Sequence, residues 1–181
     1  MAKIPSRVEN LFLNLENKLS PNGIYGVNFY LLGVPHTVII DDFLPLTTNS
    51  DGTLKTHFAF VSPDSALWVP LLEKAFAKLY GNYYHLGGGQ TYAAINAMTG
   101  SPWDIYRHAD AADKNVLWNT LWQLNKEGRM MNTNSQGHAY SVMDLKLLSN
   151  GTRLVKVFNP WASDSFSGKW SDTSAEWTDA L

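Results

Sequence analysis

The 181 residues include no cysteine. That absence excludes a disulfide framework and any thiolate-held metal centre. No apolar run reaches the roughly 20 residues that a bilayer-spanning helix needs. The first ten residues carry two basic side chains but lack the apolar stretch of a secretory signal. Charge is scarce as well. Only 17% of residues are charged and the net charge is −2, so no electrostatic footprint points to nucleic acid or a membrane surface. Repeats and low-complexity segments are absent. Glycines cluster at Gly87-Gly88-Gly89, but without the lysine and spacing of a phosphate-binding loop. The expected setting is intracellular, in the cytoplasm.

Aromatic residues are plentiful. Seven Trp and eight Tyr stand within an apolar fraction of 45%, enough to build a sizeable core as one domain, or as a domain and a fragment. Residues 4–18 place Val8, Leu11, Phe12 and Leu15 at helical spacing. Ser20-Pro21-Asn22-Gly23 is a turn. Residues 24–32 and 34–40 are β-rich runs split by Gly33, the pattern of a hairpin. Asp41-Asp42 closes the second run as turn residues rather than as a metal site.

A loop follows around Asp51-Gly52. Asp64 or Ser65 is then placed to cap a helix that runs to Tyr80, with Leu71, Leu72, Ala75, Phe76 and Leu79 on its apolar stripe. Residues 91–98 form a short helix stopped by Gly100. Asp113 caps another over 114–127, with Val116, Leu117, Leu121 and Leu124 on one face. A strand is predicted over 129–133, and the polar residues 132–136 read as a loop able to act as a flap.

The chemistry gathers between Gly137 and Trp161. Gly137-His138-Ala139-Tyr140-Ser141-Val142 opens a β-prone run, Asn150-Gly151 breaks it, and a second run ends at Asn159-Pro160-Trp161. Asn-Gly between two such runs predicts a hairpin with a type I′ turn. His138 lies 12 residues before Asn150 and Asn159 lies 8 after Gly151, so a bulge or strand end must absorb the offset. A histidine oriented by an asparagine is two-thirds of a Cys-His-Asn hydrolase site.

These motifs, with Gly168-Lys169-Trp170-Ser171-Asp172, resemble the second half of a calpain-type, papain-like cysteine peptidase core. Leu-Trp-Val-Pro-Leu-Leu-Glu-Lys-Ala-Phe-Ala-Lys resembles its helix. Gly-Ile-Tyr-Gly-Val-Asn-Phe-Tyr and Val-Ile-Ile-Asp-Asp-Phe-Leu-Pro resemble the junction of its two subdomains. The resemblance covers about residues 24–177 and implies an α+β fold, an antiparallel sheet or barrel flanked by helices. Residues 1–45 would end the first subdomain, and 46–181 would be the second, incomplete at its C-terminus.

The resemblance further implies His138 as general base, Asn159 as its orienter and Trp161 as a shield over their hydrogen bond. Gly89 and Gly137 would meet the substrate backbone, where a side chain would intrude. In the family the cysteine and the oxyanion-hole glutamine lie on a segment upstream of the region matched here. The implied activity is that of a calcium-dependent endopeptidase on polypeptide substrates. This chain, lacking the nucleophile, is expected to be inactive alone and to need a Cys-bearing upstream segment or companion chain. The rival is a non-catalytic module that keeps the fold and binds a protein partner.

Calcium ligands match poorly. Asp172 stands at one family position, while Ser165 and Ala66 replace acids and Ala162 replaces a glycine. No resident cofactor is expected.

Overall fold

The computed structural model describes residues 4–13, 19–61, 65–135, 137–161, 163 and 166–178. The fold is α+β, with antiparallel sheets of two, two and three strands, each open among the described residues rather than closed into a barrel. The chain forms two compact units, Met1–Asp104 and Ile105–Leu181.

In the first unit, β1 (Ile24–Leu31) and β2 (Val34–Asp41) form the predicted hairpin. Its tight turn holds Leu32 at φ 51° and Gly33 at φ 81°, the positive-φ pair of a type I′ turn. Tyr25, Val27 and Phe29 alternate onto one face with Val38 and Ile40 of the partner strand, and all five are buried. Two short strands follow, β3 (Leu46–Thr48) and β4 (Leu54–Thr56).

The predicted N-terminal helix is shorter than its spacing suggests. Only α1 (Ser6–Glu9) is helical, and residues 14–18 lie outside the described residues. After α1 the chain turns toward β1, where Asn28 N–H donates to Leu11 O at 2.7 Å and Leu13 N–H donates to Gly26 O at 2.9 Å. Leu11 and Phe12 therefore enter the core from the turn that follows α1 rather than from a continued helix.

Helix α2 (Trp68–Leu79) covers this core with Leu71 and Ala75, and Phe76 meets Phe29 with ring centroids 5.6 Å apart. It starts later than the capping pattern predicts and has no side-chain cap. Asp64 lies outside the described residues. Ser65 has φ 62° and so cannot be part of the helix. Pro70 is the third helical residue, where its missing N–H would have had no partner inside the helix. Lys74 bonds both Asp41 and Phe43 O, and Lys78 Nζ donates to Ile39 O at 2.7 Å. With the Phe43 N–H, the Lys74 ammonium holds the Asp41 carboxyl below its ordinary range. The strand end thus carries turn and ion-pair chemistry. A short 3₁₀ turn (Tyr83–Leu86) and α3 (Thr91–Thr99) complete the unit.

Glu73 lies beside a small apolar hollow lined by Leu44, Phe58, Pro70 and Tyr83. Burial pushes its carboxyl above the ordinary range, against the opposing pull of the Ala59 N–H, which donates to it at 2.9 Å. A raised folded-state pKa favours the fold at acid pH, and that contribution is lost as pH rises through it. Glu73→Gln keeps an acceptor for Ala59 and removes the charge. Its Tm should exceed wild type near pH 7 by roughly 1–2 °C, because solvent screens this half-buried group, and the gap should close below about pH 4. Thermal melts at the two pH values check this.

In the second unit, α4 (Lys114–Lys126) begins at the predicted cap, with Asn115 N–H donating to Asp113 Oδ1 at 2.7 Å. Its buried side chains are Leu117 and Trp118, while Val116 of the predicted face is exposed. Three strands follow in the order β5 (Met131–Ser135), β6 (His138–Leu147), β7 (Arg153–Phe158). The flap expected over 132–136 is not found over 132–135, which pair with β6 from Asn132↔Ser141 to Ser135↔His138; Gln136 lies outside the described residues.

Candidate active site

The β6–β7 connection is a hairpin, but its turn differs from the predicted one. Gly151 N–H donates to Leu148 O at 3.0 Å, and Leu148 N–H donates to Thr152 O at 2.9 Å. Only Gly151, at φ 83°, takes positive φ, and Asn150 does not. This is a type I turn closed by a left-handed glycine. Asn150 uses its side chain instead, accepting from Thr152 N–H at 2.9 Å.

The ladder runs from Leu147↔Arg153 to Asp144↔Lys156, slips by one residue at Met143, and resumes at Val142↔Val157 and Ser141↔Phe158. That slip decides which side chains meet. Residues directly opposite share a face, and β7 alternates, so Val155, Val157 and Asn159 point one way. Leu145 and Val142 point the same way, and continuing the register puts Tyr140 opposite Asn159 and His138 opposite Trp161. Without the bulge Asn159 would lie opposite Ser141 and turn to the other face from His138, because a one-residue slip inverts every side chain. The offset seen in the sequence is absorbed at Met143.

On this face His138 Nε2 and Asn159 Oδ1 are 2.8 Å apart. The asparagine amide is held at both ends, since Nδ2 donates to Ser163 O at 2.6 Å and Oδ1 also accepts Trp161 N–H at 3.1 Å. With Oδ1 fixed as the acceptor, Nε2 is placed to donate to it, which in a neutral imidazole leaves Nδ1 as the acceptor nitrogen. Trp161 packs against the imidazole with centroids 4.6 Å apart and planes at 54°. Trp161 as a residue is 73% exposed, so it covers the histidine from one side while facing solvent on the other. Tyr140 meets the imidazole edge-on at 4.7 Å.

Gly137 has φ 78° in the tight turn between β5 and β6, so the turn itself requires glycine there, beyond any close approach of a substrate. At Gly89, a Cβ would meet nothing within 4 Å, so the chain's own packing does not demand glycine. Ser141 lies on the face opposite His138. Ser135, expected in a loop, sits on β5 directly across from His138, a placement hidden in the sequence by the weak β-propensity of Asn-Thr-Asn-Ser. Asp172 is exposed, and Ser165 and Ala162 lie outside the described residues. Among the described residues no three His, Asp or Glu side chains gather as a metal site would require.

An imidazole anchored at one nitrogen by an asparagine amide is an arrangement that general acid–base chemistry can use. The comparisons with known proteins agree with that class of chemistry. The family model for calpain family cysteine proteases matches residues 1–180, extending the similarity to the N-terminal residues as well. The chain belongs to the calpain family of cysteine proteases. It is 35% identical to the calpain-type cysteine protease DEK1 of Arabidopsis thaliana, an alignment covering 97% of this chain and 9% of that protein. It is 32% identical to calpain-7 of Homo sapiens, over 92% of this chain and 22% of that one. With calpain-5 of Mus musculus the identity is 30%, over 91% and 30%. The chain therefore spans less than a third of the length of these relatives. No helix among the described residues is long and apolar enough to cross a membrane.

Proposed function

We propose that this chain supplies the base and orienter of a Cys-His-Asn endopeptidase site, His138 and Asn159. The thiol would come from polypeptide outside these 181 residues. The observation that carries this reading is the 2.8 Å contact of His138 Nε2 with an asparagine amide whose other atoms are already committed. The free Nδ1 would take the proton of an incoming thiol. The thiolate would attack a peptide carbonyl, and the same nitrogen would protonate the departing amine. Trp161 would exclude water from one side of the histidine–asparagine bond, and Gly137 would meet the substrate backbone, the role the family resemblance also implies for Gly89.

Residues 1–45 are assigned to the end of the first peptidase subdomain and 46–181 to the second. This is a correspondence of sequence, distinct from the compact units that divide at Asp104. The setting is proposed as the cytoplasm, in keeping with a chain free of disulfides.

Adding a Cys-bearing polypeptide of the family's upstream type and assaying peptide turnover with His138→Ala as the control tests the reading. The absence of cysteine also favours a second reading, a non-catalytic module docking a protein partner. It is preferred if no added thiol segment restores turnover.

We propose that calcium is not bound, because the described residues do not fit it. A hard cation of this kind takes about 6–8 oxygen ligands, several of them carboxylates, and the described residues form no such group. No step is therefore routed through it. Calorimetry of the chain with calcium should show no micromolar binding. An isotherm of that affinity, abolished by Asp172→Ala, would overturn the proposal.

A further inference from the structure

One hydrogen bond does not fix an imidazole. The χ2 torsion of histidine is soft and broadly distributed. The ring can rock, bending and weakening the Nε2···Oδ1 contact and sweeping Nδ1 through an arc. Something else must hold the plane if Nδ1 is to meet a proton donor at a set place.

Two rings touch the imidazole, and they are unequal. Trp161 lies beyond the end of β7 and is 73% exposed. Tyr140 is half-buried and stands on β6, two residues from His138 on the same face, in a segment paired to β5 through Thr133↔Tyr140. Its plane makes an angle of 87° with the imidazole at a centroid distance of 4.7 Å. That is the edge-to-face arrangement aromatic rings prefer. Rotation of the imidazole about χ2 would drive an edge into the tyrosine ring on one side and break the bond to Asn159 on the other.

The geometry points to Tyr140 as a positioning residue for His138, whose ring rather than hydroxyl holds the imidazole plane and so sets the direction of Nδ1. This rests on the reading of His138 as base, but its test does not require activity.

In ¹⁵N-labelled full chain, long-range ¹H–¹⁵N correlation reports the His138 tautomer directly. Wild type should show one dominant Nε2–H form. Tyr140→Phe should match it, and Tyr140→Leu should move the spectrum toward a mixture of both tautomers. Backbone amide spectra show whether each variant folds. Should the leucine variant unfold, Tyr140→Met, which fills the volume with a flexible chain, takes its place. A wild-type tautomer in the folded leucine or methionine variant overturns the inference, and so does a phenylalanine variant that behaves like leucine. In the thiol-complemented assay, Tyr140→Leu should lower turnover by about 3- to 10-fold, with rescue by Tyr140→Phe. If His138→Ala leaves that turnover intact, the catalytic reading fails, while the tautomer result still judges the role of Tyr140.

Discussion

A fluorogenic peptide should stay uncut by the purified 181-residue chain and be cut once a Cys-bearing polypeptide of the family's upstream type is added. His138→Ala should then reduce kcat/KM by about 10²–10⁴-fold, the usual worth of a positioned general base. Nucleophile and base act as one unit, so a base without a thiol can only assist water, and weakly. The magnitude separates outcomes. Turnover appearing only with the added segment and lost in His138→Ala supports a divided site. No turnover under any addition favours the docking module. Cleavage by the chain alone that is lost in His138→Ala would mean that a nucleophile is present within it. Ser135 would be the first suspect, because it lies across the β5–β6 ladder from His138. Cleavage that survives His138→Ala in the chain alone would indicate a contaminating protease.

The meeting of His138 with Asn159 was legible from two short motifs and a hairpin signal. The mechanism that brings them to one face was not. An offset can be counted in sequence, but where the ladder slips depends on which pairs the packing favours, and a slip elsewhere would give the same count. Both hairpin turns lie where the sequence places them, but the one turn type predicted differs. Asn150-Gly151, predicted as a type I′ turn, instead closes a type I turn, with Asn150 spending its side chain on Thr152 N–H. The positive-φ pair appears at Leu32-Gly33, where a leucine tolerates φ 51° because the paired strands on both sides dictate the turn.

The polar run 132–135 shows tertiary pairing overriding propensity, since β6 offers it a ladder. Hydrophobic spacing located α2 and α4 well because each buries a stripe. It overextended α1, where Leu11 and Phe12 reach the core from the turn after the helix. Tyr140 went unremarked because an aromatic at i+2 on a strand looks like ordinary packing until the imidazole beside it is seen.

Asn159→Ala should lower thiol-complemented turnover by about 10- to 100-fold, the scale expected when a base loses its orientation while remaining present. The substitution removes the acceptor for His138 Nε2 and for Trp161 N–H, together with the donor to Ser163 O. The stability cost should be about 0.5–1.5 kcal/mol per lost hydrogen bond at most, because water can reach these half-buried groups. A melt under assay conditions therefore separates lost orientation from unfolding.

Asn159→Asp distinguishes the two ends of the amide. It keeps an acceptor for the histidine but sets a carboxylate oxygen against the Ser163 carbonyl, so the side chain loses its anchor. Turnover should recover part of the loss seen with alanine and remain below wild type. Full recovery with aspartate would show that only the acceptor matters and that the Ser163 contact is dispensable. Wild-type turnover with alanine would remove Asn159 from the site altogether and leave the histidine held by its aromatic neighbours alone.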